Sequence, residues 1–179
     1  MTTSTTYATV VVPGTPAHDV GAPAHVVTAL TGMPHHAFVI DPAAADTTEF
    51  LERYQWPAQS AANTLVVVGK GNGATVYAVC VILASTRLDV NKSVKSALGL
   101  RKVSFAPMDY AVAETGMEYG AITPFGTPRE WPILIDSRVI DAGIIVLGGG
   151  QRLVKIATDG RLLADLPAAE VVHGLANPR

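Results

Sequence analysis

The sequence has few cysteines, aromatic residues and charged residues: its 179 residues contain one cysteine, 6% aromatic residues and 16% charged residues. A single cysteine excludes an internal disulfide and fits a reducing compartment. Because Cys80 lies inside the apolar run 76–83, we expect a buried core thiol rather than a nucleophile. The expected location is therefore cytoplasmic.

Charge of one sign and long apolar runs are also lacking. The net charge of −2 argues against a general basic coat for nucleic acid, although it leaves room for a local basic face. No apolar stretch reaches the ~18 residues that a membrane span needs. The N-terminus lacks the basic and apolar regions of a secretory signal. Neither a membrane nor DNA is an expected partner.

What the sequence does contain is enough apolar material for one domain, with 49% hydrophobic residues. We interpret residues 1–23 as a flexible lead-in with one short strand at 8–12, and residues 24–179 as the domain. Hydrophobic periodicity and turn residues predict helices and strands along it. The predicted helices are 24–30, 46–54, 90–98, 107–114 and 161–166, and the predicted strands are 37–40, 64–68, 75–83, 103–105, 132–135, 142–147, 153–157 and 168–172.

This succession of many strands and few helices favours an α/β fold of the α+β kind, in which helices flank one twisted mixed β-sheet. Asp46 and Glu49 have the spacing of a capping box, which supports the second helix. Asp136, Ser137 and Arg138 are expected to connect two strands.

Two patterns that could indicate ligands are better explained by structure. His35 and His36 are adjacent, so on a strand they point to opposite faces and cannot easily share one metal. No second cluster has the spacing of a zinc site, and we expect no metal or cofactor. The glycine-rich turn 69–73 lies between two strands and no helix pattern follows it, which favours a hairpin over a nucleotide loop.

Residues 87–102 hold five of the 13 basic residues, and Asp89 is the only acid among them. Lys92 and Lys95 share the outer face of the predicted helix. Most such runs are solvated helix faces, but phosphates also need positive charge more than a particular sequence. The residues alone leave both interpretations open.

The stretch 115–126 has three glycines and one proline in 12 residues, too many breaks for a helix or a regular strand. It could be a connector between a helix that ends at Gly116 and the strand near Trp131. A loop of this kind could equally turn its N–H groups toward a ligand, as anion nests and oxyanion sites do.

Taken together, these segments resemble the YbaK and prolyl-tRNA-synthetase-associated editing family of aminoacyl-tRNA deacylases. The resemblance covers residues 63–172, and no single motif in it would be specific alone. Its motifs are Asp89-Val90-Asn91-Lys92 leading to Leu98-Gly99, Lys102 followed by Ala106, Thr115-Gly116 followed by Gly120-x-x-x-Pro124-Phe125-Gly126, Asp136 after a strand, and Gly148-Gly149 before the last strand.

The resemblance implies a compact domain that hydrolyses the ester of a mischarged aminoacyl-tRNA in trans and removes a small amino acid without a cofactor. Aminoacyl-tRNA is then the partner, and an aminoacyl-tRNA synthetase is left open as a second one. Residues implied for catalysis are Asn63, Gly120 and Pro124. Residues implied for substrate binding are Thr64, Thr115, Gly116, Ala121, Ile122, Thr123, Phe125, Gly148 and Gly149. Charge adds Lys92, Lys95, Arg101 and Lys102 as contacts to tRNA phosphates.

The chain departs from the family pattern where charge is expected. Many members have a lysine at the position of Asn63, and asparagine can hydrogen bond but cannot stabilise an oxyanion as an ammonium would. A serine and an aspartate of some relatives are replaced by Leu147 and Val154. Lys70, at the turn of the same hairpin, is not assumed to substitute. The alternative function is therefore a catalytically silent module that binds tRNA or a synthetase. No serine lies in an elbow motif, so a nucleophilic triad is not expected.

Overall fold

Two β-sheets form the framework of the protein in the computed structural model, which describes residues 5–71 and 73–179. Within these ranges the strands are β1 His35–Val39, β2 Ala62–Gly71, β3 Ala74–Leu83, β4 Thr86–Leu88, β5 Lys102–Phe105, β6 Ile133–Asp136, β7 Ile144–Gly148, β8 Val154–Asp159, β9 Ala169–Val172 and β10 Ala176–Pro178. The α-helices are α1 Ala24–Ala29, α2 Thr47–Arg53, α3 Lys95–Ala97, α4 Met108–Thr115 and α5 Ser137–Asp141. A π-helical turn, Val90–Val94, precedes α3, and short 3-10 turns fill several connections.

The larger sheet has the strand order β5-β2-β3-β6-β9 and is mixed. Strands β2 and β3 form an antiparallel hairpin, whereas β3–β6 and β6–β9 are parallel pairs. The run Ala78–Ile82 of the central strand is at most 2% exposed, because helices and the second sheet cover both faces. Burial raises the pKa of Cys80 to about 12. The predicted mixed sheet flanked by helices and the buried thiol are confirmed.

The smaller sheet is antiparallel, with the order β1-β8-β7. It meets the larger sheet where Ala61, just before β2, forms a parallel bridge with Val146 of β7. A separate two-stranded ribbon pairs β10 with β4. The start of β2 therefore lies beside β7, and a cavity opens at this junction.

Several local predictions were wrong. Residues 8–12 form no strand: a 3-10 turn spans Tyr7–Thr9, and the Tyr7 ring packs edge-on against Trp56 with centroids 5.2 Å apart. Residues 1–4 of the predicted lead-in lie outside the described ranges. Asp46 precedes α2 but makes no capping hydrogen bond. Its carboxylate instead accepts one from Arg152, at 3.1 Å.

The segment after β6, predicted to be a connector, forms helix α5, and the short strands β4 and β10 were not predicted. Asp136 explains the helix, because its carboxylate accepts a hydrogen bond from the Arg138 N–H at 3.0 Å and so caps the first turn. The same carboxylate accepts two hydrogen bonds from the Arg138 guanidinium and one from the Ala176 N–H. One buried acid thus ties β6, α5 and β10 together.

Burial acts to raise the pKa of Asp136, but its hydrogen bonds with Arg138 and Ala176 outweigh that effect and hold the pKa below 3.8. No helix among residues 5–71 and 73–179 has the length and apolar character needed to cross a membrane.

Candidate active site

A cavity of about 460 Å³ opens at the junction of the two sheets. It lies between the first half of β2, the start of α2, the end of β5, the central loop (residues 115–126), and the neighbouring strands β7 and β8. Its volume falls in the range of small-molecule sites, about 300–1,000 Å³. Its lining residues are Ala45, Asp46, Thr47, Ala62, Asn63, Thr64, Leu65, Val66, Phe105, Ala106, Met108, Ala111, Tyr119, Gly120, Ile122, Gly148 and Lys155.

Strand β2 forms one wall and brings two predicted site residues, Asn63 and Thr64, to the cavity. Thr47 donates a weak hydrogen bond to the Asn63 side-chain oxygen at 3.5 Å. This leaves the Asn63 amide NH₂ without a hydrogen-bond acceptor among the described residues. The Thr64 hydroxyl is buried and has no hydrogen-bond partner there either. A buried polar atom without a partner is uncommon in folded proteins, and a bound ligand could satisfy it.

The central loop contributes Gly120 and Ile122 to another part of the cavity lining. Gly120 has a φ of +76°, so the backbone conformation favours glycine, while the tip of Arg152, 3.2 Å from where a Cβ would lie, belongs to a flexible side chain. The N–H of Ala121 bonds to the Glu118 carbonyl at 3.0 Å. The N–H groups of Gly120 and Ile122 have no acceptor among the described residues.

Other predicted substrate-binding residues hold this part of the lining from behind. Thr115, Ala121, Thr123 and Phe125 are each at most 3% exposed and do not line the cavity. The Thr115 hydroxyl donates to the Ala111 carbonyl at 2.7 Å, inside α4. Gly116 ends that helix in the left-handed conformation. These five residues therefore support the loop, and direct contact with a substrate remains a prediction that their placement does not favour.

Strand β7 lies very close to the loop at Gly148, which lines the cavity. A Cβ on Gly148 would lie 2.6 Å from the Ala121 carbonyl oxygen, so only glycine lets strand and loop meet there. Gly149 lies outside the lining, and its N–H bonds to the Val154 carbonyl at 2.9 Å.

Pro124 is separated from Asn63 and Gly120. It is buried and lines a neighbouring cavity of about 430 Å³, together with Gly126 and His25. The central loop is thus a partition whose first half faces one cavity and whose second half faces another. A catalytic role for Pro124 remains a prediction, but its position allows only an indirect effect on the first cavity.

Three charged residues at the cavity were missed by the sequence analysis. Asp46 and Lys155 line it, and Arg152 pairs with Asp46 at 3.1 Å. Burial, and next the charge of Arg152, lower the pKa of Lys155 to about 8, although Asp46 opposes the shift. One signal in the sequence could have indicated Lys155: it is a single cation within the predicted apolar strand 153–157, and lysines are rarely buried without a reason.

The mouth of the cavity is apolar and exposed. Phe105, Met108 and Tyr119 line it, and they are 56%, 47% and 60% exposed. Large apolar side chains clustered in solvent indicate a contact surface.

The basic residues lie outside this mouth. Lys92, Arg101 and Lys102 are exposed and Lys95 is partly exposed, and none lines the cavity. Lys102 stands three residues before Phe105 on the edge strand β5, roughly 10 Å along it. Among the four predicted phosphate contacts, Lys102 therefore lies on the same strand, β5, as the mouth residue Phe105.

Both histidines of the adjacent pair accept a hydrogen bond from the backbone. His35 accepts a hydrogen bond from the Ala17 N–H at 3.0 Å, and His36 accepts one from the Thr15 N–H at 2.9 Å. In the part of the chain that the structure describes, no three His, Cys, Asp or Glu side chains are grouped so that they could hold a metal ion. Leu147 and Val154 are buried in the core.

Comparison with known proteins agrees with this architecture. Residues 41–166 match the family described as the aminoacyl-tRNA editing domain. Because the match spans more than half of the sequence, the chain belongs to the aminoacyl-tRNA editing domain family, as the resemblance predicted.

Two solved structures have the same fold. One is described as a candidate trans-editing enzyme for prolyl-tRNA synthetase; it is 16% identical, with a TM-score of 0.73 over 93% of this chain and 99% of that chain. The other is a hypothetical protein; it is 20% identical, with a TM-score of 0.71 over 80% of this chain and 91% of that chain. At these identities the likeness establishes the fold alone.

Proposed function

We propose that this protein is a trans-editing deacylase that hydrolyses the ester between a small amino acid and the 3′ end of tRNA. The observation that carries the proposal is the cavity itself. In a member of the editing family, one cavity is lined by Asn63 and Thr64 of β2 and by Gly120 and Ile122 of the central loop, which supports the proposal. These residues supply hydrogen-bond donors and acceptors of the kind that an aminoacyl ester requires. We expect the reaction to take place in the cytoplasm, alongside translation.

In the proposed complex, the aminoacyl group enters between these two parts of the lining. The free N–H groups of Gly120 and Ile122 are candidates to donate to the ester carbonyl, as backbone donors do in oxyanion sites. The Asn63 side-chain oxygen is a candidate acceptor for the substrate α-ammonium, and the Thr64 hydroxyl could hold the attacking water. Positioning supplies much of the acceleration, because the ester is intrinsically reactive.

Measuring release of labelled amino acid from alanyl-, cysteinyl- and seryl-tRNA tests the proposal. Each amino acid should be presented on its own tRNA and on the proline tRNA, because one fold neighbour is described as a trans-editing enzyme for prolyl-tRNA synthetase. We expect at least one pair to be hydrolysed well above the rate in buffer. Release at the buffer rate for every pair would contradict deacylation.

The alternative, a silent binding module, is favoured by one observation: Asn63 gives the β2 wall of the cavity no charge. It predicts salt-dependent tRNA binding, aided by Lys92 and Lys102, with no release of the amino acid. Measuring tRNA binding by the same protein preparation at low and high salt separates this outcome from loss of both functions.

The exposed mouth predicts a preference for an RNA end over a small ester. Replacing Tyr119 or Phe105 with alanine should raise KM for aminoacyl-tRNA roughly tenfold, because a base stacked on an aromatic ring contributes about 1–3 kcal/mol. Hydrolysis of alanine ethyl ester, which has no nucleobase, should change little. Steady-state kinetics on both substrates measure the difference.

Val171→Ala is a suitable control for these variants, since Val171 is 39% exposed on β9 and lies outside the cavity lining. Equal losses on the tRNA and on the ethyl ester would show that the mouth shapes the cavity rather than holding a base.

A further inference from the structure

Lys155 is the one cationic side chain that lines the main cavity among the residues the structure describes. It projects from β8, the middle strand of the smaller sheet, where its register partners are Phe38 of β1 and Gly148 of β7. Gly148 also lines the cavity. Because glycine has no side chain, β7 places no side chain next to Lys155.

The ammonium group of Lys155 is held without an anionic partner. Its Nζ atom lies 5.1 Å from the centre of the Phe50 ring, a cation–π contact. It makes no hydrogen bond or ion pair with any residue in the ranges 5–71 and 73–179. The nearby acid, Asp46, is paired with Arg152 instead. A partly buried amine with three donors and no acceptor can therefore receive an oxygen from a ligand.

We propose that Lys155 donates a hydrogen bond to the carbonyl oxygen of the bound aminoacyl ester and stabilises the negative charge that develops there. The inference rests on the proposed deacylase function and names a further catalytic residue for it. A lysine on β8 would thus supply the charge that Asn63 cannot supply from β2. Both residues line the same cavity from different strands.

The step is an ordinary ester hydrolysis. The oxygen of water bonds to the carbonyl carbon as water gives up a proton to solvent, and the carbonyl electron pair moves onto the oxygen beside Lys155. When that pair returns, the bond to the ribose oxygen breaks and the ribose oxygen takes up a proton. One water is consumed, and the products are the free amino acid and the tRNA 3′ hydroxyl. Lys155 acts only while protonated, which at neutral pH is its main state because the lowered pKa is still about 8.

Kinetics of Lys155→Met and Lys155→Arg test the proposal on whichever of alanyl-, cysteinyl- or seryl-tRNA the unmodified protein hydrolyses fastest. Methionine preserves an unbranched side chain against Phe50 but removes the charge, so kcat should fall about 100-fold with little change in KM. This is the size of loss seen when one oxyanion donor is removed. Arginine should retain at least a tenth of the activity.

The pH profile separates catalysis from packing. After subtraction of spontaneous hydrolysis, kcat of the unmodified protein should fall as the pH rises through about 8, while Lys155→Arg should show no such fall up to pH 9. Lys70→Met is the matched control, because Lys70 is exposed at the far end of β2 and outside the cavity lining.

Two results would overturn the inference in different ways. An active protein whose Lys155→Met variant stays within threefold in kcat would remove Lys155 from the reaction and leave the deacylase proposal standing. No release by the unmodified protein from any of these tRNAs would reject the proposed function, and the inference with it.

Discussion

Replacing Asp136 with asparagine should lower the free energy of unfolding by about 3 kcal/mol at pH 7, because it leaves the Ala176 N–H and the partly exposed Arg138 guanidinium without their buried acceptor. The Asp136 side chain is 1% exposed. One of its oxygens accepts from the Arg138 guanidinium at 2.7 Å and from the Ala176 N–H at 2.9 Å. An asparagine NH₂ at that position would face two donors. The single side-chain oxygen of the asparagine could still accept from the Arg138 N–H and cap α5, so the contact that is lost is the one with Ala176 of β10.

Chemical denaturation followed by circular dichroism measures this loss, and the chain contains a matched control. Asp159 accepts hydrogen bonds from Arg161 in the same arrangement, an acid before a helical turn and an arginine two residues later. That pair is far more exposed, at 22% and 75%, so Asp159→Asn should lower stability by less than about 1 kcal/mol. Equal losses in the two variants would contradict a special role for burial at Asp136.

The pH dependence follows from the direction of the Asp136 shift. The pKa of the folded state is below 3.8, so the unfolded chain binds the proton more readily. Stability from Asp136 is therefore complete above about pH 4 and is lost as the pH falls through the folded-state pKa. The gap between the unmodified protein and Asp136→Asn should be widest near neutrality and should narrow in acid.

Local sequence patterns were sufficient for elements whose stability depends on their own residues. The β2–β3 hairpin was predicted because two apolar runs flank a glycine-rich turn, and the observed bounds are Ala62–Gly71 and Ala74–Leu83. Helix α4 and its end at Gly116 were predicted from Pro107 and the glycine. The mixed sheet followed from the order of these elements.

The errors have two physical causes: a contact between residues distant in sequence, and a helix too short to show periodicity. Asp46 has the spacing of a capping box, but Arg152 lies 106 residues further along the chain and takes its carboxylate. Helix α5 covers only Ser137–Asp141, too short for a periodic signal, and it depends on the buried Asp136. No local pattern contains the Asp46–Arg152 contact, whereas the Asp136 cap on α5 is local and was not recognised as one.

The sequence was sufficient to predict which segments contribute to the candidate site. It was not sufficient to predict which of their residues face the same cavity. Asn63, Gly120 and Gly148 were singled out and all line one cavity. The family resemblance assigned Pro124 to the same site as Gly120, through the Gly-x-x-x-Pro motif. The loop instead turns between them, so that Pro124 faces the second cavity. Lys155 was overlooked because its place at the cavity depends on the pairing of β8 with β7.

The burial of the Lys155 charge should lower the stability of the fold, although the same charge is proposed to help catalysis. Burial lowers its pKa from 10.5 to about 8, and each pKa unit corresponds to about 1.4 kcal/mol between the two protonation states. Lys155→Met should therefore raise the free energy of unfolding at pH 7, by up to about 3 kcal/mol, because methionine removes the charge that the fold desolvates.

The sign of the pH dependence provides a second check. Because the folded state releases the Lys155 proton more readily than the unfolded chain, the penalty is complete below pH 8. It fades as the pH rises from about 8 to about 10.5. Denaturant unfolding of the two proteins at pH 7 and pH 10 should show the variant's advantage shrinking, whereas Lys70→Met, at an exposed position, should change stability by less than about 0.5 kcal/mol at pH 7. A destabilised Lys155→Met would mean that the side chain serves packing against Phe50. A variant that is more stable and less active would instead fit a charge retained for the reaction at the expense of the fold.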